Sequence, residues 1–163
     1  DKGKRSFILC TNNENGIAED VCYPRIKGVI DGYENIKGIP TNLRYYRTAF
    51  LKKSSVSDDT KTDLIRKAVE MICVKEGTFN IICDKQGFKI YSDSIHTTAV
   101  LLDLDCLNEM KKAINQESKQ SNIYVFSLTN DTYDKDFENL LVEHTLCPIP
   151  ESILEVYRKL FKE

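Results

Sequence analysis

The 163-residue sequence contains no apolar run near the roughly 18 residues that a membrane-spanning helix requires. Its opening residues, DKGKR, lack the apolar segment of a secretory signal peptide. A net charge of −2, from 23 Lys and Arg against 25 Asp and Glu, argues against a strongly basic protein that coats nucleic acid. We therefore expect a cytoplasmic protein with no membrane contact, in which a local basic face can still bind DNA.

Short motifs for catalysis and metal binding are also missing. The six cysteines form no CxxC pair, and only His96 and His144 could supplement them, so a zinc site is poorly supported. Because most of the cysteines lie in apolar runs, buried free thiols are expected. The chain has no GxGxxG, Walker, GxSxG or HExxH motif. No catalytic residue can be assigned from these patterns.

The sequence does contain alternating strand and helix patterns. Apolar residues recur with a period of two in some segments and at helical spacing in others, and polar, Gly or Pro residues separate them. This alternation predicts an α/β fold with a mixed sheet and flanking helices. The predicted strands are 6–10, 43–51, a hairpin within 79–94, 98–105 and 122–131, and the predicted helices are 22–33, 60–76, 106–117, 133–141 and 149–162.

A polar cluster, Thr11 to Asn15, follows the first predicted strand directly. Asparagine favours turns, because its side chain imitates backbone hydrogen bonds and tolerates positive φ. In nucleotide-binding α/β folds, however, polar residues after a strand contact the ligand. From the residues alone, both a simple turn and the edge of a ligand site stay open.

Two carboxylates, Asp103 and Asp105, end the apolar run VLLDLD. At positions i and i+2 of a strand they would share a face and could bind a divalent cation. The predicted order αβββαβ resembles the core of PD-(D/E)XK nucleases, but the lysine that this family places two residues after the second acid is missing. The alternative is that Asp105 is the N-cap of the following helix.

A basic and aromatic stretch provides the best candidate for DNA contact. Cationic side chains neutralise phosphates, and aromatic rings stack on extruded bases. A solvated strand face with half-buried tyrosines is the alternative. The candidate DNA-binding residues are Arg44, Tyr46, Arg47, Lys52 and Lys53.

Several ordered segments together resemble bacterial adenine-specific DNA methyltransferases of the type III restriction-modification kind, the Mod subunits. They are KRSFILCTNNENGIAEDVCYPRIKGVIDGY, IPTNLRYYRTAFL, AVEMICVKEGTF, YVFSLTNDTYDKDF and PIPESILEVYRKLF. The resemblance spans nearly the whole chain. It implies transfer of a methyl group from S-adenosylmethionine (AdoMet) to adenine N6 in a duplex, with the adenine flipped out.

In that family an FxGxG-type motif precedes this segment and a DPPY-type catalytic motif lies further upstream, and neither occurs here. The resemblance therefore implies a C-terminal fragment, inactive alone, in which residues 1–50 are the last piece of a Rossmann-like methyltransferase domain. Residues 6–10 would be the second strand of its sheet. The family places an acid at the strand end, where this chain has Thr11.

The AdoMet-rim candidates are accordingly Thr11, Asn12 and Glu14. Residues 51–163 would form a C-terminal α/β domain that supports packing, positions DNA or docks a restriction subunit. The expected partners are double-stranded DNA, a restriction subunit and a second copy of the chain. A non-catalytic docking module is the main alternative function.

Overall fold

The structure, a computed structural model, describes residues 7–48, 50, 57–126 and 133–161. Its residues group into two compact units, Asp1–Ala49 and Phe50–Glu163, which we call the N-terminal unit and the C-terminal unit. In the ranges described, no helix is both long and apolar enough to cross a membrane.

The N-terminal unit consists of short helical turns, one helix and a small hairpin. A 3₁₀ turn at Glu14–Gly16 and a π-helical turn at Ala18–Cys22 lead into helix α1, Tyr23–Asp31. Pro24 lies in the first turn of α1, where its missing N–H costs no hydrogen bond. Strands β1, Gly32–Tyr33, and β2, Ile36–Lys37, then pair antiparallel.

Two predicted strands of this unit are wrong over the residues described. Residues 7–10 and 43–48 have no strand conformation, and Phe7, Ile8 and Leu9 are all exposed. A strand needs a neighbour to satisfy its backbone N–H and C=O groups. Within the described part of this unit, only the two-residue strands β1 and β2 pair, so neither segment has a neighbouring strand to hydrogen-bond with.

The C-terminal unit is built on a five-stranded mixed sheet. Its strands are β3, Asn80–Asp84, β4, Phe88–Ser92, β5, His96–Leu101, β6, Gln120–Val125, and β7, His144–Cys147. They lie in the order β3-β4-β5-β6-β7, antiparallel from β3 to β5 and parallel from β5 to β7. The predicted α/β class with a mixed sheet is confirmed.

Helices cover both faces of this sheet, because its central strands are apolar on both sides. Helices α2, Ser57–Glu76, and α5, Glu151–Phe161, share one core cluster with Val100 and Tyr124. Helices α3, Leu107–Glu117, and α4, Asp134–Phe137, contribute residues to a second core cluster on the opposite face. Along β5, Ala99 and Leu101 belong to the second cluster and Val100 to the first, as the period of two requires.

Two glycines allow local backbone geometry in this unit that other residues would disfavour. Helix α2 stops at the predicted position, because Gly77 adopts φ 75°, a left-handed conformation that ends helices. In the β3–β4 turn, the Gly87 carbonyl accepts hydrogen bonds from the N–H groups of Leu102 and Asp103. A Cβ on Gly87 would lie 2.3 Å from the Cys106 Sγ, so this turn can approach the start of α3 only with glycine.

The sequence predicted the larger elements well but missed some short ones. The β3–β4 hairpin, α3 and α5 lie within the predicted segments, whereas α2, β5 and β6 overlap theirs but begin two or three residues earlier. Strand β7 and the β1–β2 hairpin were not predicted, and α4 is shorter than the predicted 133–141. Residues 127–131, predicted to continue β6, lie outside the described ranges.

Candidate functional site

The polar cluster after residue 10 forms a network of local turn hydrogen bonds. Thr11 Oγ1 accepts from the Asn13 N–H at 3.1 Å, and Asn12 Oδ1 accepts from the Glu14 N–H at 3.3 Å. Asn13 and Asn15 have positive φ, 55° and 53°. The cluster thus has the turn geometry that asparagine favours, and its side chains stay exposed.

Glu19 is the centre of side-chain contacts in the N-terminal unit. Its Oε2 accepts a hydrogen bond from Asn13 Nδ2 at 2.8 Å, and its Oε1 accepts from the Tyr45 hydroxyl at 3.3 Å and from Arg47 Nη2. The hydrogen bond from Asn13, with the Arg47 charge and the Tyr45 hydroxyl, lowers the pKa of Glu19 below 4.5 despite partial burial. Glu19 therefore carries its negative charge at neutral pH.

Two tyrosines complete this arrangement. The rings of Tyr23 and Tyr45 meet edge to face at 5.7 Å, and the Arg47 guanidinium lies 5.8 Å from the centre of the Tyr45 ring. Glu19, Tyr23 and Tyr45 line an open cleft of about 240 Å³. The structure thus joins the polar cluster, through Asn13, to the basic and aromatic stretch, through Tyr45 and Arg47.

The structure describes three of the five predicted DNA-binding residues. Arg44, Tyr46 and Arg47 are exposed in the segment 43–48, which has no regular secondary structure. Arg47 is neutralised by Glu19, although its side chain is 69% exposed. Lys52 and Lys53 lie outside the described residues.

The carboxylates of Asp103 and Asp105 do not form the predicted pair on a strand. Strand β5 ends at Leu101, and Asp103 Oδ1 accepts from the Asp105 N–H at 3.0 Å as the N-cap of a 3₁₀ turn, Leu104–Cys106. The predicted N-cap role of Asp105 is wrong, because Asp105 lies inside this 3₁₀ turn and Cys106 is the N-cap of α3, without a side-chain hydrogen bond. Among the described residues no group of three or more His, Cys, Asp or Glu side chains could hold a metal ion.

A second polar network lies in the C-terminal unit, between the end of α2 and the sheet. The Glu76 carboxylate accepts hydrogen bonds from the Tyr124 hydroxyl and from Asn122 Nδ2, while Lys75 Nζ donates to the Tyr124 oxygen at 2.7 Å. His96 Nε2 lies 3.9 Å from Glu76 Oε2. This network fixes the last turn of α2 to β5 and β6.

The ionisation states in this network follow from burial and hydrogen bonding. Burial acts to raise the pKa of Glu76, but the hydrogen bonds from Tyr124 and Asn122, with the Lys75 charge, outweigh it and lower the pKa below 4.5. Burial, together with the hydrogen bond to Glu76, raises the pKa of Tyr124. Glu76 is therefore the anion and Tyr124 the neutral donor.

Sequence reasoning missed both carboxylates at the centres of these networks. An acid near the start of a helix is explained by the helix dipole alone, so Glu19 gives no sign of its partner Arg47, 28 residues away. Glu76 gives a stronger signal: an acid in the last turn opposes the dipole, which indicates a tertiary partner. The six cysteines are free thiols, as predicted, but the prediction that they are buried is wrong except for Cys73: Cys10 is exposed and the other four are partly exposed.

Comparisons with protein-family models, with curated proteins and with solved structures give no match to this chain.

Proposed function

We propose that the chain is the C-terminal part of an AdoMet-dependent DNA (adenine-N6) methyltransferase of a restriction-modification system. The observation that supports this most directly is the exposed apolar segment Phe7–Leu9, which runs into the polar cluster. Contiguous exposed apolar residues mark surfaces that contact another protein segment. In the methyltransferases that the sequence resembles, neighbouring strands would cover this segment and make it a strand.

The polar cluster suits the rim of an AdoMet pocket. The Thr11 and Asn12 oxygens each accept one backbone hydrogen bond and keep a second lone pair, and Glu14 adds an exposed carboxylate. These acceptors can bind the ribose hydroxyls of AdoMet, which supplies the methyl group when bound. Because the described residues provide a rim and no enclosed pocket for the nucleoside, we expect no tight AdoMet binding by this chain alone.

DNA contact is assigned to the exposed segment that contains Arg44, Tyr46 and Arg47, with Lys52 and Lys53 following in sequence. The two arginines can neutralise phosphates, and the Tyr46 ring, 49% exposed, can stack on a base. The segment is short and the chain is near neutral, so this contact positions the duplex and does not dominate affinity. The parent enzyme acts on cytoplasmic DNA.

A second candidate function is docking by the C-terminal unit. This unit has its own core on both faces of the sheet, and its edge strand β3 exposes Ile81 and Ile82. Exposed apolar residues on a sheet edge favour contact with another protein. The candidate partners are a restriction subunit and a second copy of the chain.

The test starts with the coding sequence upstream of Asp1, where we expect an FxGxG-type motif. The protein encoded by the full reading frame should transfer labelled methyl groups from AdoMet to adenine in duplex DNA. The 163-residue chain alone, as the matched control, should show neither transfer nor tight AdoMet binding by calorimetry. A full-length protein that leaves adenine unmethylated would refute the proposed function, and tight AdoMet binding by the chain alone would refute its dependence on upstream residues.

A further inference from the structure

Arg47 has a carboxylate, that of Glu19, as its ion-pair partner. Its Nη2 donates to Glu19 Oε1, and a guanidinium binds carboxylate and phosphate through the same planar pattern of donors. Building on the proposed DNA contact of residues 43–48, we propose that Glu19 competes with the DNA phosphate for Arg47 and thereby limits duplex binding.

Glu19 stays in place when Arg47 moves, because two neutral groups also hold it. Asn13 donates to one carboxylate oxygen and the Tyr45 hydroxyl to the other. A phosphate that approaches Arg47 therefore meets a fixed negative charge as well as the cation. The carboxylate and the phosphate are both negative and would repel each other when they are neighbours. The carboxylate therefore weakens phosphate binding even after the ion pair between Glu19 and Arg47 opens.

The ion pair is nevertheless weak enough to exchange. The Arg47 side chain is 69% exposed and Glu19 is 33% exposed, and exposed ion pairs contribute little because water and salt screen them. A phosphate at the duplex surface, where the negative charge density is high, can therefore replace the carboxylate as the partner of Arg47, while Glu19 keeps its bonds from Asn13 and Tyr45. Glu19 acts as a graded restraint on DNA affinity and not as a permanent block.

Removal of the Glu19 charge tests this competition directly. Duplex affinity is measured by the fluorescence anisotropy of a labelled oligonucleotide over a series of salt concentrations. We expect Glu19→Gln to bind about two- to fivefold more tightly at low salt. Its salt slope should be steeper by up to about 0.9, because in the wild type the carboxylate that Arg47 leaves takes up a cation and offsets one that the duplex releases.

The matched control is Glu34→Gln, which removes the same charge from an exposed residue in the β1–β2 turn of the same unit. It separates the local effect from the change in net charge, and its gain should be smaller. A Glu19→Gln, Arg47→Gln double variant should lose the gain of the single variant. Equal affinity of Glu19→Gln and Glu34→Gln, or a gain that persists in the double variant, would overturn the competition.

Two further measurements keep the outcome interpretable. Circular dichroism establishes that Glu19→Gln keeps the wild-type fold. In the wild-type chain, carbon-13 NMR of the Glu19 carboxyl should shift when duplex is added, because the phosphate displaces it from Arg47, and an unmoved signal at saturating duplex contradicts the inference. Methyl transfer by the full-length protein tests the proposed function separately. A negative result in that assay therefore does not bear on the Glu19 competition, and a negative result in the binding assay does not bear on the methyltransferase function.

Discussion

The two units differ sharply in how much apolar surface they bury. In the C-terminal unit, two core clusters on opposite faces of the sheet contain residues such as Phe88, Ile123 and Tyr124 with no exposed surface. In the described part of the N-terminal unit, Ala18 is the one buried apolar residue, while Phe7, Ile8 and others face solvent. Burial of apolar surface is the main favourable term in folding, so the C-terminal unit is built to be stable by itself and the N-terminal unit is not.

Hydrogen exchange should show the largest contrast between the units. Amides of β5 and β6 lie in the centre of a covered sheet, so their exchange should require global unfolding, at about 5–15 kcal/mol. Residues 41–48 lack regular secondary structure, and their amides should exchange at close to the unfolded rate. Mass spectrometry of exchanged peptides measures both in one sample, and equal protection in the two regions would remove the contrast.

Truncation of one isoleucine in each unit tests the role of burial. Ile123→Ala leaves a cavity between the sheet and α3, and should lower the free energy of unfolding of the C-terminal unit by about 2–5 kcal/mol. Ile36→Ala removes the same atoms from a side chain that is 55% exposed, and should change stability by less than about 0.5 kcal/mol. Urea unfolding followed by circular dichroism measures both, and similar losses would contradict the comparison.

Glycine-to-alanine substitutions probe packing with a single added methyl group. Gly87→Ala places a Cβ against Cys106, so it should destabilise the C-terminal unit by about 1–3 kcal/mol. Gly28→Ala lies within α1 with open space around the new methyl group, and should stabilise that helix by about 0.5–1 kcal/mol. Opposite signs in thermal unfolding monitored by circular dichroism are the expected result; a stabilising Gly87→Ala would refute the close contact.

Acid sensitivity should also separate the units. Because the folded pKa of Glu76 lies below its ordinary value of 4.5, the charged carboxylate stabilises the C-terminal unit above that pH. This contribution is lost as the pH falls through the folded pKa. Glu76→Gln should cost about 1–3 kcal/mol at neutral pH, because it disturbs the bonds from Tyr124 and Asn122, and should reduce the loss of stability between pH 6 and about pH 3.

Glu19→Gln is the control for this prediction. Its contacts lie within the N-terminal unit, so it should leave the acid unfolding of the C-terminal unit unchanged. Urea midpoints at a series of pH values measure both variants. An acid transition of Glu76→Gln that coincides with the wild type would show that another carboxylate is responsible.

The elements that the sequence predicted well are those with local signals. Helix α2 has apolar residues at helical spacing and a terminal glycine, and the β3–β4 hairpin has a polar turn between alternating segments. The segment Phe7–Cys10 has an equally clear strand pattern, yet it is not a strand. The apolar pattern shows which residues favour burial. A strand also needs a second strand to pair with, and the local pattern does not show whether one is present.

The candidate site was harder to predict for the same reason. The polar cluster and the basic stretch were recognised one at a time, but the carboxylate that joins them, Glu19, was not. Its partners Tyr45 and Arg47 lie 26 and 28 residues away, and the Glu76 hydrogen bond to Tyr124 spans 48 residues. Contacts at such separations depend on the fold and leave no periodic signal in the chain.

The mixed pairing of the sheet has a consequence for the order of folding. Strands β3, β4 and β5 pair through short turns, whereas β6 and β7 reach their parallel neighbours only after the connections 102–119 and 126–143 have closed. Contacts between residues close in sequence form faster than distant ones, because less chain entropy is lost on closure. We therefore expect the β3–β5 meander to form first and the parallel pairings of β6 and β7 to form later.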